Sequence, residues 1–512
     1  MAGEIKLTGP DLATEGMPAA EVGGEIPSVG HVGGKPVIVL RTTGGLRAVG
    51  GRCTHYGAPL ADGLSDGRQI HCPWHHAFFD LTTGEAVGAP ALDPIPVYVA
   101  AERAGRVYVT GPVDAAIEAR TPPISPESVV IVGAGAAGAV AAETLRSHGF
   151  GNRITLIGDE GPVDRPNLSK DYLAGTAPEE WMPLRGADFY EKSRIDLRLG
   201  RRVVRLNATE RRVELDDGSG LFYGALLLAL GAEPIRLELP GADLPFVHYL
   251  RSFADSRSVI AALDGAQHAV VVGAGFIGLE VAASLRHRGL AVSVVEPHEV
   301  PLARVLGETM GRFALQLHQD HGVVFHLGRQ VAELGPNLVT LDDGTTMSAD
   351  LVIIGVGVLP RVDLAVEAGL EIEDGILVDD RLRTSDPHIW AAGDIAVYPD
   401  PAIGRVRVEH WVLAQRQGQT AARNMLGHDV PFRDPPFFWS QHYDIPINVV
   451  GHVGGFDEET VVGNPTDRDV RVAYRQGGAI RGFATVYRDI ENLRAEQALA
   501  LDDQSVLERL LS

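Results

Sequence analysis

Cysteine is almost absent: 512 residues contain two, Cys53 and Cys72. No Cys-x-x-Cys pair exists, so disulfide exchange of the thioredoxin or glutathione reductase kind is excluded. No cysteine is left over for a sulfenic-acid peroxidase. A chain with none to spare for disulfides suits a reducing compartment, and a cytoplasmic location is expected. No run of about 18 apolar residues occurs, so no membrane span is expected. The stretch Met1-Ala2-Gly3-Glu4-Ile5-Lys6 has no basic region leading into an apolar one, so no secretory signal is expected. Positive charge is scarce as well. Lys and Arg number 45 against 67 Asp and Glu, a net charge of −22, which argues against nucleic acid or an anionic membrane as partner. The remaining composition is ordinary for globular protein, and the length fits about three or four domains.

Each cysteine has a nearby histidine. Cys53-Thr54-His55 is followed, 16 residues on, by Cys72-Pro73-Trp74-His75. Two thiolates on one iron and two neutral imidazoles on the other hold a [2Fe–2S] cluster of the Rieske type. Such a cluster carries less negative charge than an all-cysteine one and takes an electron more readily. Zinc uses the same ligand types, but its fingers usually show Cys-x2–4-Cys and His-x3–5-His. Two buried core thiols are the plain alternative, and a poor one for two Cys-His pairs in one Gly- and Pro-rich stretch. The motif resembles the Rieske ferredoxin family, which implies Cys53, His55, Cys72 and His75 as ligands. The extra cysteine pair of the respiratory-complex type is missing. His76 stands where that family usually has Gly; it reads either as a hydrogen-bond donor behind the ligands or as an exposed side chain, and the exposed reading is the expectation.

Residues 1–112 read as short strands punctuated by Gly, an all-β domain. Residues 113–126 end in Thr121-Pro122-Pro123-Ile124-Ser125-Pro126 and read as a linker. From Val129 apolar strands alternate with Ala-rich helices, the pattern of α/β protein with parallel sheet. Two segments there are alike. One carries Gly133, Gly135, Ala136, Ala137 and Gly138; the other carries Gly273, Gly275, Phe276, Ile277 and Gly278. Each follows an apolar strand and opens a helix, the context that gives Gly-x-Gly-x-x-Gly its meaning. The glycines let backbone approach a pyrophosphate, and the helix N-terminus supplies unpaired N–H groups. An acid at the end of the next strand should bind ribose hydroxyls. The candidates are Asp159 and Glu160 in the first copy and Glu296 in the second. Glu296 would repel a 2′-phosphate, and Pro297-His298 follow with no arginine, so NADH is expected over NADPH.

A third segment, from Thr384 to Ile395 with Gly393-Asp394 near its end, resembles the late Gly-Asp motif of two-dinucleotide-fold flavoproteins. That resemblance implies Asp394 at the ribityl-phosphate region of FAD, FAD on the first fingerprint and NADH on the second. Arg165-Pro166-Asn167-Leu168-Ser169-Lys170 matches the Arg-Pro-Pro-Leu-Ser-Lys of oxygenase-system ferredoxin reductases and apoptosis-inducing-factor-like oxidoreductases, with Asn167 for one Pro. With the Rieske part included, the resemblance covers nearly the whole chain. It implies that Arg165 and Lys170 lie along FAD, and that Lys170 pairs with Glu280 near the nicotinamide as the catalytic pair. It also implies that His410, Trp411 and Trp439 close over the isoalloxazine, with Arg236 as a further FAD candidate. The plain alternative is two unrelated surface charges for Lys170 and Glu280, and a core aromatic for Trp439. The expected domains are FAD-binding at 127–245 and 370–432, NAD-binding at 246–369, and α+β at 433–512 with a helical tail.

Asp320-His321 and His326 look like part of a facial triad for mononuclear iron. They straddle a helix end and a strand, so solvated or capping groups are expected. The expected function is hydride transfer from NADH to FAD. Single electrons then pass to the fused cluster and on to an external acceptor: an oxygenase, a ferredoxin or a small oxidant. The competing expectations are an NADH-sensing protein whose dimerisation or partner binding changes with NADH, and an NADH oxidase or quinone reductase; a homodimer is a further expectation.

Overall fold

Pairs of apolar residues two apart dictate the N-terminal architecture. In the strand Lys35–Thr42, Ile38 and Leu40 point to one face and Val37 and Val39 to the other, and all four are fully buried. Ile38 and Leu40 join a core with Cys53, Cys72 and Phe79, whereas Val37 and Val39 join Leu12, Met17 and Val109. This is a computed structural model that describes residues 7–113 and 120–512. Met1 to Lys6 and the 114–119 part of the expected linker lie outside the described residues. The chain forms two units, one reaching Arg120 and including Arg488–Leu510, the other Thr121–Tyr487.

The first unit contains a six-stranded antiparallel sheet. Its order is Met17–Pro18, Arg106–Val113, Val97–Arg103, Gly45–Gly50, Lys35–Thr42, Ser28–Val32. A four-stranded antiparallel sheet, Leu64–Ser65, Gln69–His71, Phe78–Asp80 and Ala86–Gly88, carries the second Cys-His loop between its middle strands. The helices Asp489–Ala500 and Gln504–Arg509 also belong to this unit. The sequence reading joins this tail to the strands from 433; the structure groups it with the N-terminal residues. Its partners there are His76, which meets Glu496, and Glu25, which meets Arg494. Those partners lie more than 400 residues away in the chain, so no local pattern marks them.

The second unit contains two parallel five-stranded sheets. One runs Ile195–Leu199, Arg153–Gly158, Ser128–Val132, Ala225–Leu228, Ile389–Ala391. The other runs Val247–Tyr249, Leu351–Ile354, His268–Val272, Ala291–Glu296, Val323–Leu327. Ser128–Val132 is buried at every position, as a strand covered on both faces must be. The helix Ala136–Ser147 packs on Trp411–Met425, and Gly418 allows it: a Cβ there would lie 2.2 Å from the Ala137 carbonyl oxygen. A five-stranded antiparallel sheet begins with Phe437–His442 and Ile445–Gly451. The Pro-rich stretch at 121–126 is tied into this unit, since Ile124 donates its N–H to Leu426 O at 2.9 Å.

Candidate functional site

The two Cys-His loops repeat one backbone pattern. Cys53 N–H donates to Ala58 O while Cys53 O accepts from Gly57 N–H; Cys72 N–H donates to Ala77 O while Cys72 O accepts from His76 N–H. Gly57 and His76 occupy the same place and share left-handed backbone, with φ of 77° and 58°. His76 therefore pays in strain for a position that favours glycine. The expectation of an exposed His76 is corrected: it is fully buried, and its Nδ1 lies 2.8 Å from Glu496 Oε2. Both cysteines are free and buried. The Nδ1 atoms of His55 and His75 are 3.2 Å apart. Burial lowers the His55 pKa to about 4, which keeps it the neutral imidazole a ligand must be. Among the described residues no group of three or more His, Cys, Asp or Glu could hold a metal ion by itself. A Rieske cluster takes two ligands per iron, and this donor set fits it.

The first fingerprint is built for close approach. Gly133 has φ 111°, and a Cβ there would lie 2.0 Å from Ala229 O; at Gly138 a Cβ would lie 1.9 Å from Gly133 O. At Gly135 a Cβ would lie 3.4 Å from the Arg165 guanidinium. Arg165 Nε is buried with no hydrogen-bond partner among the described residues, and burial beside Arg251 lowers the guanidinium pKa. A buried cation facing a helix N-terminus with a free donor fits a pyrophosphate. Glu160 turns inward, accepting from Arg165 at 3.2 Å and from Phe253 N–H at 2.9 Å. Asp159 instead pairs with Arg202 at 2.9 Å in solvent. Asp394 accepts from Arg251 at 2.7 Å, whereas Arg236 stacks on the Tyr249 ring at 4.8 Å.

The second fingerprint repeats the geometry. Gly273 has φ 101°, a Cβ at Gly278 would lie 2.1 Å from Gly273 O, and Gly275 faces open space. Glu296 Oε2 accepts from Ala274 N–H at 2.7 Å, so its carboxylate lies on the turn itself. Ile277 is exposed at the helix start, while Phe276 touches Phe438, centroids 4.8 Å apart. Phe438 in turn lies 4.2 Å from the His410 ring. His410 sits at the N-cap of Trp411–Met425, burial lowers its pKa to about 4, and its Nδ1 has no hydrogen-bond partner among the described residues. Trp411 is partly buried against the core of the first parallel sheet.

Lys170 and Glu280 meet. Lys170 Nζ donates to Glu280 Oε2 at 2.8 Å, with side-chain exposures of 12% and 4%. Ser169 Oγ donates to the same oxygen and Ser440 Oγ to Oε1, both at 2.6 Å. Lys170 Nζ also stands 5.9 Å from the Trp439 ring centroid. A buried ion pair pays for its desolvation only when its remaining lone pairs are satisfied, and these two hydroxyls satisfy them. Ser169 and Ser440 lie inside the matched segments without having been singled out. Arg251 had no motif around it, and only the fold brings it to Asp394. His321 caps its helix, with Nδ1 at 2.8 Å from Leu317 O.

Residues 127–418 match the Pyridine nucleotide-disulphide oxidoreductase family, and residues 15–99 match the Rieske [2Fe-2S] domain. The chain belongs to that oxidoreductase family and carries a Rieske domain in front of it. It is 39% identical over 383 residues to rhodocoxin reductase of Rhodococcus erythropolis, covering 73% of this chain and 90% of that one. It is 33% identical over 482 residues to apoptosis-inducing factor 3 of Homo sapiens, covering 90% and 79%. Among solved structures, the covalent putidaredoxin reductase–putidaredoxin complex aligns with a TM-score of 0.73 at 34% identity, covering 76% of this chain and 96% of that one. The protein is thus an NAD(P)H-dependent flavoprotein oxidoreductase whose cofactors are FAD, NAD and a Rieske [2Fe–2S] cluster. Among the described residues no helix is long and apolar enough to cross a membrane.

Proposed function

We propose that this chain oxidises NADH, sends the electrons one at a time into its own Rieske cluster, and delivers them to an external acceptor. The observation that supports this most is the buried Lys170–Glu280 pair, held by two serines beside Trp439. When bound, FAD supplies hydride acceptance and the change from two-electron to one-electron chemistry, and the cluster carries single electrons. Gly133, Gly135 and Gly138, with the N–H groups of Ala136 and Ala137, hold the FAD pyrophosphate, and Arg165 gives it a counter-charge. Glu160 takes the ribose. Asp394, oriented by Arg251, takes the ribityl-phosphate region, and His410, Trp411 and Trp439 enclose the ring. Gly273, Gly275, Phe276, Ile277 and Gly278 hold the NADH pyrophosphate, and Glu296 its ribose hydroxyls. Lys170 and Glu280 align the nicotinamide end and exclude water, which hydride transfer needs more than an acid or base. Cys53, His55, Cys72 and His75 hold the cluster.

Two relatives are named as ferredoxin reductase components of the anthranilate and biphenyl dioxygenase systems, from Burkholderia cepacia and Paraburkholderia xenovorans. A ferredoxin or an oxygenase component is accordingly the acceptor class proposed. The route is tested by Cys72→Ser, which removes a cluster ligand. NADH should still bleach the flavin, while one-electron acceptor reduction falls at least tenfold. Acceptor reduction at the parent rate would show that electrons bypass the cluster.

A further inference from the structure

Behind the Lys170–Glu280 pair, a row of polar side chains runs through the core of the same unit. Ser440 Oγ, already bonded to Glu280 Oε1, lies 3.1 Å from His442 Nε2. His442 Nδ1 lies 3.2 Å from His318 Nε2, and His318 Nδ1 lies 3.2 Å from the Tyr443 hydroxyl. Ser440, His442 and His318 are fully buried. The strand Phe437–His442 brings Ser440 and His442 to one face, and the helix Ala303–Asp320 supplies His318. Burial holds His442 at about 3, with Lys170 adding to the effect, and holds His318 well below its ordinary value. Each ring is therefore neutral, with one N–H and one lone pair. Burial raises the Tyr443 pKa, so its hydroxyl keeps a proton to donate.

These groups can be joined in one direction only. Glu280 accepts from Lys170 and Ser169 at Oε2, and a carboxylate has no proton to give. Ser440, 2.6 Å from Oε1, must therefore donate to it. That uses its only proton, so Ser440 accepts from His442 Nε2–H. His442 Nδ1 is then a lone pair and accepts from His318 Nε2–H. His318 Nδ1 in turn accepts from the Tyr443 O–H. The reverse direction would set Ser440 lone pairs against those of the carboxylate at 2.6 Å. A serine hydroxyl by itself turns among staggered positions. Here the bond from His442 leaves its proton aimed at Glu280.

The far end of the row carries backbone strain. Tyr443 sits in the two-residue turn between Phe437–His442 and Ile445–Gly451 with φ 57°, a left-handed position that favours Gly or Asn. Its ring is stacked at 3.6 Å on His321. Strain of this kind gathers at functional positions, and here it sets the hydroxyl on His318.

We propose that Tyr443, His318 and His442 are positioning residues for the Lys170–Glu280 pair: they lock Ser440 as a donor and so fix the Glu280 carboxylate against Lys170. The inference rests on the function proposed above, in which that pair aligns the nicotinamide end. Ser440 holds one carboxylate oxygen, and Ser169 and Lys170 hold the other, which fixes the plane of the group. The row moves no proton. Its constant polarity is what steadies the pair.

The first test mixes holoenzyme anaerobically with NADH and reads the limiting rate of flavin bleaching and the half-saturating NADH concentration. In His442→Leu the row is broken, and the limiting rate falls about fivefold or more, the effect of losing one hydrogen bond, with half-saturation unchanged. His442→Gln offers an oxygen to His318 and an N–H to Ser440, and restores the parent rate to within about twofold. Tyr443→Phe removes the terminal donor and lowers the limiting rate in the same way; it carries the test if His442→Leu fails to fold. A limiting rate unchanged in Tyr443→Phe, a loss confined to half-saturation, or His442→Gln as slow as His442→Leu overturns the proposal. No bleaching in the parent protein would instead overturn the function on which it rests. The second test needs no turnover. Nitrogen-15 NMR of labelled histidines should find the proton of His442 and of His318 on Nε2 in the parent protein. In Ser440→Ala, with no acceptor left for His442 Nε2–H, both protons move to Nδ1. A proton on Nδ1 in the parent, or no change in Ser440→Ala, overturns the row.

Discussion

At the scale of single residues, charge placement is the source from which coenzyme selectivity and acid sensitivity are both predicted. Glu296 lies on the second fingerprint turn, bonded to Ala274 N–H. A 2′-phosphate brought beside that carboxylate meets like charge, and a tenfold discrimination needs only about 1.4 kcal/mol. Steady-state kcat/KM should favour NADH over NADPH by about tenfold or more, and near-equal values would remove Glu296 from coenzyme selection. His442 and His318 are neutral in the folded state, with His442 held at about 3 against an ordinary 6.5. Once unfolded they take up protons that the folded state refuses. The His442 contribution is complete above pH 6.5 and is lost as pH falls towards 3, at about 1.4 kcal/mol per pH unit, and His318 acts in the same direction. Urea midpoints of the parent protein should therefore drop between pH 6.5 and 4. The double variant His318→Leu/His442→Leu should show a shallower drop, and parallel curves would contradict the assignment.

At the scale of elements, the loops and turns carry what the strands position. The Cys-His loops show one hydrogen-bond scheme twice, and that symmetry explains why His76 is strained and why Glu496 receives it. Glu496→Ala removes the buried partner and should cost about 1–3 kcal/mol. Thermal loss of the Rieske signal would then begin at a lower temperature than in the parent; an unchanged melting profile would show that the helix Asp489–Ala500 does not support the loop. The glycine fingerprints, the acids after their strands and the Cys-His spacing were legible because each is a local pattern with a local cause. Lys170 and Glu280 were legible as a pair only through resemblance, since their 110-residue separation leaves no periodic signal. Arg251, His318 and the inward turn of Glu160 were not legible. Each depends on which side chains tertiary packing brings opposite, and the sequence around it reads as ordinary helix, strand or loop.

At the scale of the whole molecule, the chain combines a one-electron centre with a two-nucleotide oxidoreductase. The alternation of apolar strands with Ala-rich helices announced the parallel sheets, and the Gly-punctuated short strands announced the all-β part. The C-terminal tail was misplaced because helical periodicity identifies a helix and says nothing of the unit it joins. The central claim is that NADH reduces the cluster through the flavin. Its most direct measurement is an anaerobic titration of the purified holoprotein with NADH, following flavin absorbance and the Rieske EPR signal together. The account predicts that flavin bleaching and the reduced-cluster signal both appear within turnover time. Full flavin reduction with a cluster that stays oxidised would contradict it.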